Sequence, residues 1–449
     1  MRPDDGIGSA LLRVAGILTR RDAERVQGLY PPERPDPGEV LRLGERPLRV
    51  LALAMSGTSY QKYCARDIVQ GLSAQGVEAR ACILDLSAGM DCELYREILA
   101  FDPDLLFCNG RGREGLPPLP EGLCVLSWDQ DYALSPPGSP YARRRGPRDR
   151  LLVMLEDWRE GALRSGVPES AVAHLNLGAN PEIYHPLPSS PAPLEHDVLF
   201  VGNYYPWETY RRMIRFDALQ PRVQRVLLEA RSLLREWVLG RRGDEAFVIP
   251  DLGTLLKEGC ERAGEQGGLD DHAWSALVRD FRYRVAHLLL RELFVESLAE
   301  FRLGLFGHGW NALPTAGKWA RPPIVNGEPL REAIRRSALS LHLHTWTVHH
   351  PRLYDTAAAG GALLVGRVPE AHPLDRVFEP GAEVETFATI AEMKRKIRHL
   401  LAHPEERIAM GEEAARRAAR DHGMPARMAR CLGFLSGGKA HDRAVARVA

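Results

Sequence analysis

Residues 340–365 bring together side chains that can do chemistry: Ser340-Leu-His342-Leu-His344-Thr-Trp-Thr347-Val-His349-His350-Pro-Arg352-Leu-Tyr-Asp355, then a small-residue run to Gly360-Gly361 and the apolar Ala-Leu-Leu-Val365. The pattern predicts a buried strand, a polar loop, a short helix, a glycine break and a second buried strand. In open α/β sheets, ligands bind beyond the carboxyl ends of the strands. That position here collects imidazoles, a guanidinium, a carboxylate and a helix N-terminus, whose unpaired N–H groups and positive dipole end suit a phosphate. His342 and His344 share one strand face. Together with His349 and His350 they raise the question of a metal, but their spacing fits no standard zinc signature, and no metal is expected.

Three other stretches sit where a strand gives way to a loop. Met55-Ser56-Gly57-Thr58-Ser59 offers small hydroxyl residues and a glycine that permit close backbone approach or cap a helix; it is neither a GxGxxG fingerprint nor a Walker-type Gly-Lys-Thr. Ser127-Trp-Asp129-Gln-Asp131 places two carboxylates at a strand end. They could bind sugar hydroxyls, one could act as a base, or they could simply shape a turn. Val201-Gly202-Asn203 and Phe306-Gly307-His-Gly309-Trp310 follow two further strands, where glycine lets a ligand reach the backbone and Trp310 is equally readable as core.

The elements that position these residues follow from the pattern along the chain. With 449 residues, 45% hydrophobic and 26% charged, two globular domains are expected. Lys+Arg and Asp+Glu are equal at 59 each, so no overall field favours nucleic acid. The basic run Arg143–Arg150 reads as a solvated loop. Seven cysteines stand singly, with no CxxC pair, which argues against a disulfide framework. No apolar run reaches membrane-spanning length and no signal segment opens the chain, so a cytoplasmic protein without an integral membrane segment is expected.

Residues 1–46 read as an N-terminal extension with an amphipathic segment, Ala10 to Gln27. Apolar runs at 49–54, 79–84, 104–108, 123–128, 151–155 and 171–177 alternate with helical patterns and predict a parallel, doubly wound domain over 47–188. A Ser/Pro linker at 189–193 leads to a second such domain over 194–436, with strands expected at 197–203, 302–307, 324–326, 339–344 and 362–365. Its alternation is interrupted by a helical insertion at 207–300, where apolar residues recur at three- and four-residue steps. Residues 437–449 read as a tail. Two such domains would face a cleft, the usual place for a small-molecule site.

Leu177-Gly-Ala-Asn180-Pro-Glu-Ile-Tyr-His-Pro186 resembles the segment before the linker in retaining glycosyltransferases of the GT-B fold, the glycosyl transferases group 1. His350-Pro-Arg352-Leu-Tyr-Asp355-Thr-Ala-Ala-Ala-Gly360 resembles their donor-site helix, and Gly307-His-Gly309-Trp310 a strand end of their CgeB-like branch. The resemblance covers about 174–205 and 301–430. It implies a metal-independent glycosyltransferase that moves a sugar from a nucleotide-diphosphate sugar, with no cofactor, to a glycan, protein or small molecule. It also implies that Asp355 binds the ribose, that Arg352 and the helix start near His350, with His349, hold the diphosphate, and that Gly307 and Gly309 leave room for the base. Gly202, Asn203 and Trp310 would complete the donor site. Ser56, Gly57, Thr58 and Asp129 would line the acceptor side, with Asp129, Asp131 and His350 as candidate catalytic residues. The family pairs two carboxylates eight positions apart; here Thr347 stands at the first and the shorter Asp355 at the second. Two alternatives share the architecture: a nucleotide-sugar 2-epimerase, and a non-catalytic nucleotide-sugar binding or scaffold protein.

Overall fold

The structure is a computed structural model. It describes residues 19–31, 34–55, 59–84, 90–130, 145–186, 193–213, 215–240, 246–265, 274, 277–278, 280–345, 347–369 and 374–437. Ser56, Gly57, Thr58, Asp131 and most of the linker and tail lie outside them. Contacts divide the chain into two compact units, Met1–Asn180 with Asp421–Ala449, and Pro181–Arg420.

The first unit opens with helical residues 19–29 and a short helix α1 (Pro37–Leu43), capped by Asp36 through Glu39 N–H. Alternation then follows: β1 (Arg49–Met55), α2 (Ser59–Ser73), β2 (Glu78–Leu84), α3 (Met90–Phe101), β3 (Leu105–Asn109), β4 (Cys124–Asp129), β5 (Arg150–Val153), α4 (Glu156–Arg164) and β6 (Val172–His174). The strands form one sheet in the order β2-β1-β3-β4-β5-β6, every pair parallel. Val50, Leu51 and Ala52 are fully buried, as a strand covered on both faces requires. The N-terminal segment is more than an extension. Val26 and Tyr30 enter the core beside Leu51, Leu106 and Leu123, and the Tyr30 hydroxyl donates to the Pro103 carbonyl at 2.8 Å. Buried Asp104 anchors the same segment, accepting both Arg46 arms at 2.7 Å, Arg34 at 3.2 Å and the Arg49 N–H at 3.0 Å. Burial alone would raise this carboxyl's pKa; those donors hold it below the usual range.

The second unit runs β7 (His196–Val201), α5 (Trp207–Met213), α6 (Pro221–Gly240), α7 (Leu252–Arg262), a π-helical stretch (Phe281–Ala286) continuing into α8 (His287–Ser297), β8 (Leu303–Phe306), β9 (Ala320–Arg321), α9 (Glu328–Arg335), β10 (Ser337–His342), α10 (Pro351–Ala358), β11 (Leu363–Gly366), β12 (Glu385–Phe387), α11 (Ile390–Ala402) and α12 (Pro404–Asp421). Its parallel sheet has the order β12-β11-β10-β7-β8-β9. The order reverses direction at β7, so its topological switch point lies between β7 and β10. Among the described residues, α5 to α8 lie between β7 and β8, and α6 buries Val226, Leu227, Ala230, Leu233 and Leu234, in the stripe its spacing predicted. Two strand expectations need correction. Residues 324–325 are irregular and lead into a turn at 326–327 with Asn326 buried, and the edge strand is Ala320–Arg321; β12 was not anticipated.

The last helix, α13 (Met424–Leu435), belongs to the first unit and not to the second domain that was expected to run to 436. Its apolar face explains this. Met424 and Met428 press on α2 at Gly71, where an added Cβ would lie 2.7 Å from Met428 and 2.8 Å from the Met424 carbonyl. Arg427, almost fully buried, donates to the Leu177 carbonyl at 2.8 Å and sits 2.7 Å from His422.

Candidate functional site

At the switch point of the second sheet, β7 ends in Val201-Gly202-Asn203, β8 in the Gly307–Trp310 turn and β10 in His342, before the loop that leads into α10. The two glycines of that turn are required by backbone packing. Gly307 has φ +146° and an added Cβ would stand 1.9 Å from the Gly202 carbonyl; Gly309 has φ +83° and its Cβ would meet the Tyr204 carbonyl at 1.9 Å. The turn is laced to the end of β7: Gly202 N–H donates to the Phe306 carbonyl at 2.9 Å, Tyr204 N–H to the His308 carbonyl at 2.9 Å, and His308 N–H to Asn203 Oδ1 at 3.0 Å. Trp310 is wholly buried, donates to the Gly202 carbonyl at 2.7 Å and packs on Phe200 and Tyr204. The side chains of Asn203 and Trp310 therefore build the turn. The space a side chain would take at Gly307 and Gly309 is filled by the Gly202 and Tyr204 carbonyls.

A small cavity behind this turn is lined by Arg291, His342, His344, His350, Arg352 and the end of β7. The imidazoles crowd together with their planes tilted to one another. Ring centroids of His342 and His344 are 4.9 Å apart, those of His344 and His350 4.5 Å, and His287 approaches His344 at 6.0 Å. Burial, then mutual and arginine repulsion, drives the pKa values of His344 and His350 well below normal; burial takes His342 down to about 4. All three are therefore neutral at pH 7. The His350 ring caps α10, its Nδ1 accepting the Arg352 N–H at 3.2 Å. A neutral ring that accepts at Nδ1 carries its proton on Nε2, where it can donate. Among the described residues these imidazoles do not form a group with metal-ligand spacing.

Arg291 is the residue that the sequence reading missed. It follows His287 by four positions on α8, so both project from one helix face. Its guanidinium donates to the Asn203 carbonyl at 2.6 Å, lies over the Phe200 ring and leaves Nε without a hydrogen bond. Burial lowers its pKa to about 10, with no carboxylate among the causes. The sequence signal was present as a His-x-x-x-Arg pair inside a stripe read as core.

Arg352 and Asp355, assigned separate duties by the resemblance, meet each other: an Arg352 N–H donates to Asp355 Oδ2 at 3.1 Å, and the other arm donates to buried Asn326 Oδ1 at 2.6 Å. The guanidinium is thus held in one orientation at the start of α10. His349 points elsewhere, its ring 2.9 Å from the Tyr354 hydroxyl in the core. Thr347 is buried and accepts the His349 N–H at 3.0 Å, shaping the loop. Asp129, fully buried at the end of β4, belongs to the first unit.

Residues 284–433, which contain α8, Arg291, the glycine turn and the whole β10–α10 corner, match the family model described as glycosyl transferase-like. The match is to the general family and does not single out the CgeB-like branch. No curated protein matches the chain. Similar solved structures include a glycosyltransferase from Rickettsia africae ESF-5 (10% identity, 87% of this chain and 98% of that one, TM-score 0.43). Anabaena HepE in complex with UDP and glucose is similar at 10% identity, 87% and 100% coverage and a TM-score of 0.43. Sucrose-phosphate synthase from Thermosynechococcus elongatus is similar at 11% identity, 87% and 99% coverage and a TM-score of 0.44. Two parallel six-stranded sheets, one per unit, are the arrangement of the GT-B fold. Residues 284–433, most of which lie in the second unit, are thus similar to a glycosyl transferase-like domain.

Proposed function

We propose that the cavity at the β7–β10 switch point receives the diphosphate of a nucleotide sugar, and that the enzyme transfers the sugar without a metal. The observation that supports this is Arg291, a half-buried cation with no carboxylate partner among the described residues, beside three neutral imidazoles and the N-terminus of α10. An uncompensated buried cation is costly unless an anion joins it. When the glycosidic bond breaks, the leaving diphosphate gains negative charge. Fixed N–H donors on Arg291, Arg352, His350 and the helix start stabilise that charge without reorganising, which is the work a divalent ion would otherwise do. Retention of the anomeric configuration follows the family resemblance, and the acceptor is a glycan, protein or small molecule.

Calorimetric titration with UDP, GDP and dTDP tests the reading. One of them should bind, and Arg291→Ala and Arg352→Ala should each weaken it by about 2 kcal/mol or more, the range for a lost charge-assisted hydrogen bond. Binding should survive EDTA. Unchanged affinity in both variants, or no binding of any nucleoside diphosphate, would sink the assignment.

A further inference from the structure

Outside this cavity, one group of metal-capable side chains stands apart: among the described residues, His399, His403 and Glu406 are the only three such residues whose ligand atoms all lie within 4.8 Å of one another. They sit where α11 turns into α12. His399 lies in the last turn of α11, His403 closes that helix as its C-cap, and Glu406 lies in the first turn of α12. We propose that they form a site for a first-row divalent transition metal of the zinc, cobalt and nickel class, which clamps this corner. The site is independent of the nucleotide-sugar reading.

Three observations carry it. His399 and His403 are four residues apart, on one face at the helix end, with ring centroids 4.2 Å apart. His399 Nε2 already faces Glu406 Oε2 at 2.8 Å, so a metal would replace a shared proton and would not need to pull distant groups together. The tautomer of His403 is set as well. Its Nδ1 lies 2.8 Å from the His399 carbonyl, which can only accept. The proton of a neutral His403 is therefore on Nδ1, and the lone pair is on Nε2. A ligating imidazole that donates its other N–H to a backbone carbonyl is the usual outer-shell arrangement of a metal site. Two imidazole nitrogens and one carboxylate suit zinc, cobalt or nickel, and offer too few oxygens for calcium or magnesium. His399 and Glu406 are about half exposed (49% and 52%), which leaves the remaining coordination positions to water.

Titration of the full chain with cobalt(II) and zinc, followed by cobalt absorption and calorimetry, tests this. One equivalent should bind at these residues and raise the melting temperature. His403→Ala and Glu406→Gln should each lower the affinity by about tenfold or more, since even outer-shell changes have that effect. Magnesium should not compete. The exposed positions of His399 and Glu406 leave folding intact, which circular dichroism would verify. The proposal is overturned if the wild-type chain binds neither metal, or if the double variant His399→Ala, His403→Ala binds both as tightly as wild type.

Discussion

Arg291 and the imidazoles around it show how little of a site one residue's identity reveals. Arg352 and Asp355 stood out in the sequence because a cation and an acid at a helix start invite separate tasks, yet they pair with each other at 3.1 Å. Arg291 went unnoticed because a long side chain within an apolar helical stripe reads as core. Its exposure to the cavity depends on where α8 lies against β7, which no local pattern encodes. The buried imidazoles also make acid stability a readout of this packing. His342 has its pKa pushed from about 6.5 to about 4 by burial, so in that window the unfolded chain binds more protons than the folded one. Its contribution is therefore complete above pH 6.5 and is lost as pH falls toward 4, a loss of about 3 kcal/mol for this group. Urea unfolding between pH 7 and pH 4 should show at least that loss, since His344 and His350 are shifted the same way, and His342→Gln should make it smaller. An unaltered slope in the variant would mean that the ring is not buried as described.

The elements were legible where burial alone decides them. β1, β4 and β10 are mostly apolar and buried along nearly their whole length, and each falls within two residues of its expected bounds. β12, Glu385-Thr-Phe387, was invisible because three residues at a sheet edge carry no period. Residues 324–326 read as a strand from Ile-Val, yet there the chain turns to deliver Asn326 to Arg352. The glycines of the turn after β8 leave room for the end of β7, a packing reason that their spacing does not announce. Gly309→Ala should therefore cost stability directly. The left-handed backbone alone disfavours a Cβ by about 1–2 kcal/mol, and the overlap with the Tyr204 carbonyl adds to it. Denaturant unfolding should give a loss of at least that size, and a variant as stable as wild type would refute the packing.

At the scale of the molecule, the chain passes between the two units twice, after Asn180 and after Arg420. The alternation of strands and helices announced two doubly wound units, but nothing local to Met424–Leu435 says which unit its apolar face will cover. Ending the chain after Arg420 removes Met424, Met428, Cys431 and buried Arg427 from the first unit. Large core losses cost about 2–5 kcal/mol each, against a typical total stability of about 5–15 kcal/mol. Hydrogen exchange on the shortened chain should find β1–β6 deprotected while β7–β12 keep their protection. Full protection in β1–β6 would show that α13 is dispensable.

That return of α13 also imposes an order on biosynthesis. The second unit is one uninterrupted stretch, whereas the first cannot close until residues beyond 420 have left the ribosome. At about 5–20 residues per second, the stretch between the two crossings takes on the order of tens of seconds to make. Through that interval the nascent first sheet waits with the α2 surface around Gly71 uncovered. The half of the protein that is begun first is the half that is finished last, and its naked helix face is what a holding chaperone would meet.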